Sequence, residues 1–581
     1  DGGWADGIVA SLLRAGGSDL PPAPLRALRQ ATVLPLPGNG GQGFAAAVGL
    51  AIGQRHLAAT FRQPGYDLFS HRVFLLCRGS ALPSGVASEA ASLAGHLRPG
   101  SLVVLCCEDG ASGSAAMTKS RFEAYGWSVV YAQLVDSGAG AETALVAALQ
   151  MTVGAERPTL ILVRAASAAA DVAGELDMAA CSDWVKLGAA QADAWVELFA
   201  RYGEEHQESH SELVRRFRGE LPEDWRKELP QYSVGERAQA TRQYSAKVLA
   251  GLVGAVPEMV GGSADLTGSN LTNQGQLKDF QHNRPKGRYL RFGVREHAMI
   301  GICTGLAAYG CFLPFCGTFL NFFTYGWGAL RLACAVKAHV VYVATHDSIE
   351  LGEDGPSHQP IEVIPACRAM PNLLTFRPAD GAETVGAYEV AMLRRDGPSL
   401  IALSRSGAPH LEGSSREALA RGGYMLSDFD EALVPAVVFA ASGTEVATCA
   451  EAKALLQAIG IGARVVSMPC WELFEEQDEL YRHSVFEPSV PLPAGVKPLR
   501  IYVEASATLG FHRYAEVHVG MTSFGASAPA KDVRKHFGFE KAALASRAME
   551  ALKERGLVIS YRLGRFGFCR LGPKLAVAMA D

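Results

Sequence analysis

The sequence predicts an α/β protein made of three consecutive α/β domains with mainly parallel sheets. With 581 residues, the chain is too long for one hydrophobic core. Short apolar runs alternate with helical patterns along most of it, which is typical of parallel sheets covered on both faces. Hydrophobic residues make up 49% and charged residues 19%, enough apolar material for large cores. The net charge of -5 gives no indication of a nucleic-acid surface, and no apolar run is long enough to span a membrane.

The first domain is predicted over residues 1–200. Residues 1–30 are helix-like, and the loop Gly38–Gly43 leads into a helix that starts at Phe44. Four apolar runs then predict short buried strands: Val73–Cys77, Leu102–Cys107, Val129–Leu134 and Thr159–Val163. Residues 201–232 are charged and helical, and we interpret them as a solvated linker.

The second domain is predicted over residues 233–410, a linker over 411–430 and the third domain over 431–549. Apolar runs predict strands in the third domain at Val434–Ala440, Ala463–Ser467 and Arg500–Glu504. A basic extension over 550–581 follows, for which a local strand pair and a docking tail are equal alternatives; its cations from Gly556 onward are Arg562, Arg565, Arg570 and Lys574.

The twelve cysteines are scattered without a Cys-x-x-Cys pair or a zinc pattern, which indicates a reducing compartment. The chain begins at Asp1 without a methionine. Removal of a targeting segment would explain this and would fit an organelle, although a fragment would look the same.

The densest chemistry lies in His346–Glu362, directly after the apolar run Val340–Thr345. This loop contains two histidines and five acids and is interrupted by glycine and proline. A loop at the end of a buried strand is where α/β proteins place their active sites. A solvated acidic loop is the alternative.

Other motifs argue against that alternative: Gly261–Thr272, Arg295-Glu-His-Ala-Met299, Gly317-Thr-Phe-Leu-Asn-Phe322 and Phe524-Gly-Ala-Ser-Ala-Pro-Ala-Lys-Asp532. Together with the histidine loop they resemble transketolase, the thiamine-diphosphate enzyme that moves two-carbon ketol units between sugar phosphates. The resemblance is nearly continuous from about Tyr232 to Phe539. It implies the three-domain transketolase fold and a dimer whose sites lie between the first domain of one subunit and the second of the other.

The resemblance implies that Glu296 is the carboxylate that hydrogen-bonds the thiamine pyrimidine. A surface charge is the ordinary interpretation of a helical glutamate. It also implies cofactor contacts from Asp265 and Leu266 and from three aromatic residues, which composition alone would read as a core stripe: Phe319, Phe322 and Tyr325.

Sugar-phosphate recognition requires cations and hydroxyl groups around a dianion. By resemblance, Arg242 and Ser269 contact the phosphate, and the remaining sugar and phosphate contacts are His346, Asp354, His358 and Arg405. Among these residues, the two histidines join Glu296 as predicted catalytic residues.

The first domain departs from the family pattern. In transketolases a Gly-Asp-Gly motif and a later asparagine hold a divalent metal on the cofactor diphosphate. Segments similar to transketolase, Glu89–Gly95 and Arg121–Trp127, align these two ligand positions with Gly79 and Asp109. Gly79 has no ligand atom, so we expect no metal site and no strong binding of thiamine diphosphate or magnesium unless the site is rebuilt. In the alternative, Arg78 neutralises the diphosphate directly.

The expected function is that of a transketolase-like pseudoenzyme serving as a structural or assembly subunit. It would be a homodimer or a heterodimer with another transketolase-like chain, or part of a larger complex joined through the first domain or the basic tail. The alternative is an active transketolase, alone or paired with a normal one. A sugar-phosphate sensor is a third possibility. No nucleic-acid partner is expected. The missing methionine and the carbon-fixation role of plant and algal transketolases favour the chloroplast over the cytoplasm.

Overall fold

The computed structural model describes residues 41–108, 114–134, 139–165, 178–488 and 497–556. The predictions for residues 1–30, for Asp109 and for the end of the basic extension (557–581) therefore lie outside the described residues. Within the described residues the protein is α/β with mainly parallel sheets, as predicted.

The first domain contains a four-stranded sheet in the order β1-β2-β4-β3, with every pair parallel. Its strands are β1 (Val73–Arg78), β2 (Leu102–Cys107), β3 (Ser128–Leu134) and β4 (Thr159–Ala165), so all four predicted strands are confirmed. Its helices are α1 (Gln42–Thr60), α2 (Gly85–Leu97), α3 (Ser114–Tyr125), α4 (Ala139–Gln150), α5 (Met178–Glu205) and α6 (Gln207–Phe217).

Helix α6 lies in the segment interpreted as a solvated linker. The segment is helical as predicted, but one face of α6 is buried, including Leu213 and Arg216. Arg215 also forms an ion pair with Glu258 of the second domain at 2.7 Å. The charged side chains thus pair across the junction between domains, which composition alone does not reveal.

The second domain contains a six-stranded parallel sheet in the order β10-β11-β9-β8-β6-β7. Its strands are β6 (Met259–Ser263), β7 (Tyr289–Arg291), β8 (Leu313–Phe319), β9 (Val341–Thr345), β10 (Leu374–Phe376) and β11 (Ser399–Leu403), and a small antiparallel pair is formed by β5 (Gln239–Ala240) and β12 (Gly407–Ala408). Its helices are α7 (Thr241–Ala255), α8 (Thr267–Asn270), α9 (Glu296–Tyr309), α10 (Trp327–Ala335), α11 (Val363–Arg368) and α12 (Gly381–Leu393).

The third domain has a five-stranded sheet in the order β13-β15-β14-β16-β17. Its strands are β13 (Tyr424–Ser427), β14 (Pro435–Ala441), β15 (Gly462–Ser467), β16 (Leu499–Ala507) and β17 (Val517–Met521). Strand β13 pairs antiparallel with β15 and lies inside the segment predicted as a linker. The remaining helices are α13 (Arg416–Leu419), α14 (Glu445–Gln457), α15 (Trp471–Glu475), α16 (Glu479–Phe486), α17 (Ala530–His536) and α18 (Lys541–Glu554).

Helices α1 and α9 join the first two domains by close backbone packing. A Cβ added at Gly49 would lie 2.1 Å from the carbonyl oxygen of Ile302, and one added at Gly305 would lie 2.1 Å from that of Ala46. Only glycine permits this approach, because any side chain would overlap the facing backbone. The packing places the amino end of α9, where Glu296 lies, beside the first domain.

Candidate functional site

The candidate site lies at the carboxyl ends of the second sheet. Asp265 follows β6, Phe319 ends β8, His346 follows β9 and Arg405 follows β11. Since all four strands are parallel, these ends lie along one edge, and the loops that follow them form a crevice. The loop chemistry noted in the sequence is therefore brought together by the topology.

His346 is the buried centre of this crevice. Its backbone is left-handed, with φ of 61°, and the residue is 4% exposed. Its Nδ1 lies 2.7 Å from Oγ1 of Thr345, which donates its own proton to Oδ1 of Asn270 at 2.6 Å. The Thr345 hydroxyl has no second proton, so Nδ1 of His346 must donate. This tautomer leaves Nε2 as a hydrogen-bond acceptor.

Burial lowers the pKa of His346 to about 3, and the charges of Arg242, Arg405 and His358 act in the same direction. A histidine with this pKa is neutral at every physiological pH. In the folded protein, His346 is thus an uncharged imidazole surrounded by cations.

Arg242 and Arg405 are brought together by a hydrogen-bonded clasp between the residues that precede them. The backbone N–H and the hydroxyl of Thr241 contact Oγ of Ser404 at 3.0 and 3.1 Å, and the Ser404 N–H donates to Oγ1 of Thr241 at 2.7 Å. Burial, and then the nearby Arg405, lower the pKa of Arg242. Two cations held side by side at the amino end of α7 form a site for a dianion.

Ser269 contributes to this cation site through its backbone. Nη1 of Arg242 donates to the Ser269 carbonyl at 2.6 Å, which fixes the guanidinium group against the loop after β6. The contact orients Arg242. It is made by the backbone carbonyl of Ser269 and not by the hydroxyl group that the sequence analysis predicted to contact the phosphate.

A row of aromatic rings leads outward from His346. The His346 ring centroid lies 3.8 Å from that of Phe319, and Phe319 stacks on Phe322 with centroids 5.6 Å apart. Tyr325 continues the row, 5.9 Å from Phe322, and is 68% exposed. His358 closes on the same row, 5.2 Å from Phe322. A core stripe would be fully buried, whereas this row opens to solvent at one end.

Glu296 is the first residue of α9 and is half-buried. Burial raises the pKa of its carboxyl, and the carboxylates of Glu89 and Asp265 raise the pKa further. Glu89 also accepts a hydrogen bond from the Ala298 N–H at 2.9 Å. The first domain thus supplies a second carboxylate next to Glu296, and protonation of Glu296 is favoured over that of an exposed glutamate.

The other predicted residues lie at the rim. Asp265 is exposed, with a left-handed φ of 58°, and Leu266 next to it is half-buried. Asp354 is exposed at the end of a 3-10 turn, Ile349–Asp354. No side-chain hydrogen bond or ion pair of Asp354 is found in the described part of the chain, so the structure does not bring it into the network around His346.

The third domain closes the histidine loop. Gln359 donates to the carbonyls of Gly352 and Ala526, both at 3.0 Å, and Ser527 donates to the carbonyl of Glu353. The Phe524–Asp532 motif is therefore a support for the loop rather than part of the aromatic row.

A buried ion cluster lies directly behind His346. Arg377 is fully buried and contacts Asp347 at 2.9 Å and Glu445 of the third domain at 2.7 Å. Burial raises the pKa of Asp347 to about 6 in spite of Arg377. The cluster ties the residue after His346 to the third domain.

Of the two metal-ligand positions aligned from the sequence, Gly79 is among the described residues and Asp109 is not. Gly79 begins a 3-10 turn at the end of β1 and offers no side chain, and Arg78 before it is exposed. Glu108 at the end of β2 pairs with Arg164 at 2.8 Å. No group of three or more metal-ligating side chains is found among the described residues.

Sequence reasoning did not select Asn270, Thr345, Thr241 or Ser404, which position the predicted residues. Asparagine, threonine and serine have short side chains and are common, so the only sequence signal for these residues is their position at strand ends and helix starts. It used Glu89 only to align the first domain. The proximity of Glu89 to Glu296 depends on the packing of two domains.

Comparison with known proteins gives a consistent result over all three domains. Residues 27–178 match the transketolase thiamine diphosphate binding domain, residues 237–409 the transketolase pyrimidine binding domain and residues 422–540 the transketolase-like C-terminal domain. A probable transketolase of Schizosaccharomyces pombe is 39% identical over 559 residues, covering 88% of this chain and 80% of the relative.

This chain belongs to the transketolase family. The chloroplastic transketolase-1 of Arabidopsis thaliana is also 39% identical, over 87% of this chain and 73% of the relative. The structure of the Leishmania mexicana transketolase superposes with a TM-score of 0.82 at 38% identity, covering 89% of this chain and 81% of that one. The fold predicted from the motifs is confirmed.

The transketolase relatives include chloroplastic and yeast proteins, so the chloroplast remains a prediction for this chain. No helix in the described ranges has both the length and the apolar character to cross a membrane. The crevice residues fit the pyrimidine side of thiamine diphosphate, because an open aromatic row and a half-buried carboxyl lie on neighbouring elements. A Cβ added at Gly326, in the turn that carries Phe322 and Tyr325, would lie 3.1 Å from the carbonyl oxygen of Glu296. At the first-domain edge, Gly79 supplies no side-chain ligand for the metal that would hold the diphosphate.

Proposed function

We propose that this chain works as a transketolase and transfers a two-carbon ketol unit between sugar phosphates, alone or paired with a second transketolase chain. The observation that carries the proposal is the continuous set of contacts around His346. The set includes the two arginines and the aromatic row, and Asp265 in the loop after β6 lies close enough to Glu296 to raise the pKa of its carboxyl. A transketolase of Pichia stipitis that superposes with a TM-score of 0.84 was solved with sedoheptulose 7-phosphate.

In this proposal Glu296 holds a proton at the pyrimidine end of thiamine diphosphate. Its raised pKa increases the fraction of carboxyl that is protonated, so that it can donate a hydrogen bond to a ring nitrogen. Phe319, Phe322 and Tyr325 contact the pyrimidine, and Asp265 and Leu266 lie at its rim. The bound thiamine would supply the stabilised carbanion that the reaction needs.

The substrate side uses the cation site. Arg242 and Arg405 neutralise the phosphate of the sugar, and neutral His346 accepts a hydrogen bond from a sugar hydroxyl through Nε2. A neutral imidazole suits this role, because protonation of a buried histidine next to two guanidinium groups is unfavourable. His358 and Asp354 would contact the sugar from the outer side of the loop.

The diphosphate side is where the chain departs from its relatives. With Gly79 in place of a carboxylate, binding of the diphosphate would depend on Arg78 or on the intact first domain of a partner subunit. A heterodimer with a normal transketolase supplies that domain, and one working site would then combine it with Glu296 of this chain.

A second candidate function is that of an assembly subunit without ketol transfer. The observation that favours it is Gly79 at a ligand position, since the loss of one ligand from a divalent site weakens metal binding strongly. In this case the crevice would persist for the sake of the fold, and the partner would be joined through the first domain or the basic tail.

Calorimetry of the purified chain with thiamine diphosphate, with magnesium and with a chelator, tests both candidates. Micromolar binding followed by ketol transfer supports the first. Activity only after mixing with a normal transketolase supports the heterodimer. No binding at millimolar cofactor, a free energy weaker than about 4 kcal/mol, together with no activity in the mixture, rejects catalysis and supports the assembly subunit.

A further inference from the structure

A cavity with an excess of positive charge lies at the end of the first sheet where the amino ends of its strands meet. Its volume is about 570 Å³. Arg72 immediately precedes β1, Ser101 immediately precedes β2 and Glu156 lies shortly before β4, and all three residues line the cavity. In a parallel sheet the amino ends of the strands lie at the edge opposite the carboxyl ends. The cavity is therefore separate from any cofactor site at Gly79.

Cations dominate the cavity wall. Arg55, Arg72 and Arg98 line it, against the single carboxylate of Glu156, and the imidazole of His282 lines it as well. In the described part of the chain, no carboxylate oxygen lies within ion-pair distance of the three arginines. Arginines collected without carboxylate partners are costly to desolvate, unless an anion compensates them.

Two of the arginines are held in place by neutral acceptors. Arg55 donates to the His282 carbonyl at 2.6 Å and to the carbonyl of Arg98, while Arg72 donates to Oγ1 of Thr152 at 2.6 Å. These bonds orient the guanidinium groups and leave their charge uncompensated. They also connect α1 of the first domain to the second-domain loop that carries His282.

Ser101 provides an independent observation. Its Oγ is shielded from solvent and has no hydrogen-bond partner among the described residues. Unpaired buried hydroxyl groups are rare in folded proteins, because each costs the hydrogen bond it would make in water. A phosphate oxygen in the cavity would accept a hydrogen bond from the hydroxyl group of Ser101.

We propose that this cavity binds the phosphate group of a small metabolite, a sugar phosphate or a nucleotide, as a second ligand site of the protein. Guanidinium groups match phosphate oxygens in charge and geometry. A volume of about 570 Å³ is larger than one phosphate needs and lies in the range of small-molecule sites. The ligand would bridge the first and second domains, because His282 of the second domain lines the cavity together with the first-domain arginines.

Calorimetry of the full chain tests the site with three probes: inorganic phosphate, ribose 5-phosphate and ADP. The variant Arg98→Asn removes one cation and keeps the left-handed backbone at φ of 50°, which asparagine tolerates. We expect about tenfold weaker binding in this variant and tighter binding in Glu156→Gln. The tighter of the two organic probes identifies the class of ligand.

Two controls separate this site from the crevice. Arg62→Gln removes an exposed arginine that does not line the cavity and should leave the affinity unchanged. Arg405→Gln weakens the phosphate site of the crevice and should leave the cavity affinity unchanged. Binding that is lost in Arg405→Gln but retained in Arg98→Asn would overturn the proposal, as would failure of all three probes to bind. Loss of ketol transfer would not bear on it.

Discussion

Oγ1 of Thr345 donates a hydrogen bond to Oδ1 of Asn270 at 2.6 Å, and this bond decides which ring nitrogen of the neutral His346 carries the proton. Asn270 is in turn fixed by its own donation to Oγ of Ser263 at 2.8 Å, and Ser263 donates to the Gly317 carbonyl at 2.9 Å. The chain of donors starts at Nδ1 of His346, passes through Thr345, Asn270 and Ser263, and ends at the Gly317 carbonyl within β8. Because burial and the two arginines keep His346 neutral, this order leaves its Nε2 as a hydrogen-bond acceptor.

Thr345→Val should change the tautomer of His346 while the other side chains of the crevice stay in place. Valine has the shape of threonine but no hydroxyl, so Nδ1 of His346 and Oδ1 of Asn270 lose their partner. We expect a free energy of unfolding lower by about 1–3 kcal/mol and a mixture of the two imidazole tautomers. Nitrogen-15 NMR of the ring reports the tautomer. Thr324→Val is the control, since Thr324 is exposed and bonds only the nearby Asn321 carbonyl; an unchanged single tautomer in Thr345→Val would contradict the assignment.

Phosphate binding in the crevice should raise the pKa of His346. The value is about 3 because of burial and then the two arginines, so an anion that neutralises them removes part of the cause. Proton NMR of the imidazole across pH 2.5–7, with and without a sugar phosphate, measures the change. Arg405→Gln should raise the pKa of the free protein in the same direction, whereas the exposed Arg331→Gln should not. A pKa that does not respond to Arg405→Gln would contradict the proximity of the cations.

Stability should fall as the pH falls from about 6.5 toward 3, partly through His346. In this range the unfolded histidine takes up a proton that the folded one does not, so the unfolded state is favoured progressively. Urea unfolding at a series of pH values tests this, with His346→Gln as the comparison. The slope against pH should be shallower in the variant; equal slopes would show that His346 does not contribute.

Glu296→Gln should stabilise the cofactor-free chain at neutral and alkaline pH. A carboxyl whose pKa is raised on folding destabilises the folded state at pH values above the raised pKa. This destabilisation is absent at pH values below the pKa that the same group has in the unfolded chain. The gain should therefore be present at pH 8 and absent near pH 4, by thermal unfolding. The same variant should abolish ketol transfer, while the exposed control Glu412→Gln should change neither property. A gain that is independent of pH would argue against the charge as its cause.

Arg377→Met should be among the most destabilising substitutions in the described residues. It leaves Asp347 and Glu445 buried without their cation, and loss of one partner of a buried pair costs about 3–5 kcal/mol. Arg482→Met is the matched control, because Arg482 pairs with Glu475 at a surface where both side chains are 38% exposed. That pair is worth about 0–1 kcal/mol. Similar losses in both variants, measured by urea unfolding, would contradict the cluster's role.

Gly79→Asp combined with Asp109→Asn should restore magnesium dependence to thiamine diphosphate binding. The two changes return a carboxylate and an amide oxygen to the ligand positions of the family, which are the donors that a hard divalent ion prefers. Calorimetry with magnesium and with a chelator should differ in the double variant and agree in the natural chain. Magnesium-dependent binding by the natural chain would mean that other residues form the metal site.

Local pattern in the sequence determined the strands, the helices and the family. Continuous apolar runs such as Leu102–Cys107 are typical of parallel strands, because helices cover both faces of the sheet and both sets of side chains are buried. The loop after β9 could be singled out because its unusual residues are contiguous. The same reasoning overlooked strand β13 within the segment 411–430, which is short and lies at a sheet edge.

Only the tertiary structure decided which side chains act together. Thr345 and Asn270 are 75 positions apart. Glu89 meets α9 from another domain, and Arg55 of the first domain donates to the backbone carbonyl of His282 in the second. Periodicity reports the environment of each residue along its own element, whereas such contacts depend on how sheets and helices pack. The protonation of His346 and the charge of the cavity arise from packing, because desolvation and neighbouring charges are properties of the folded chain.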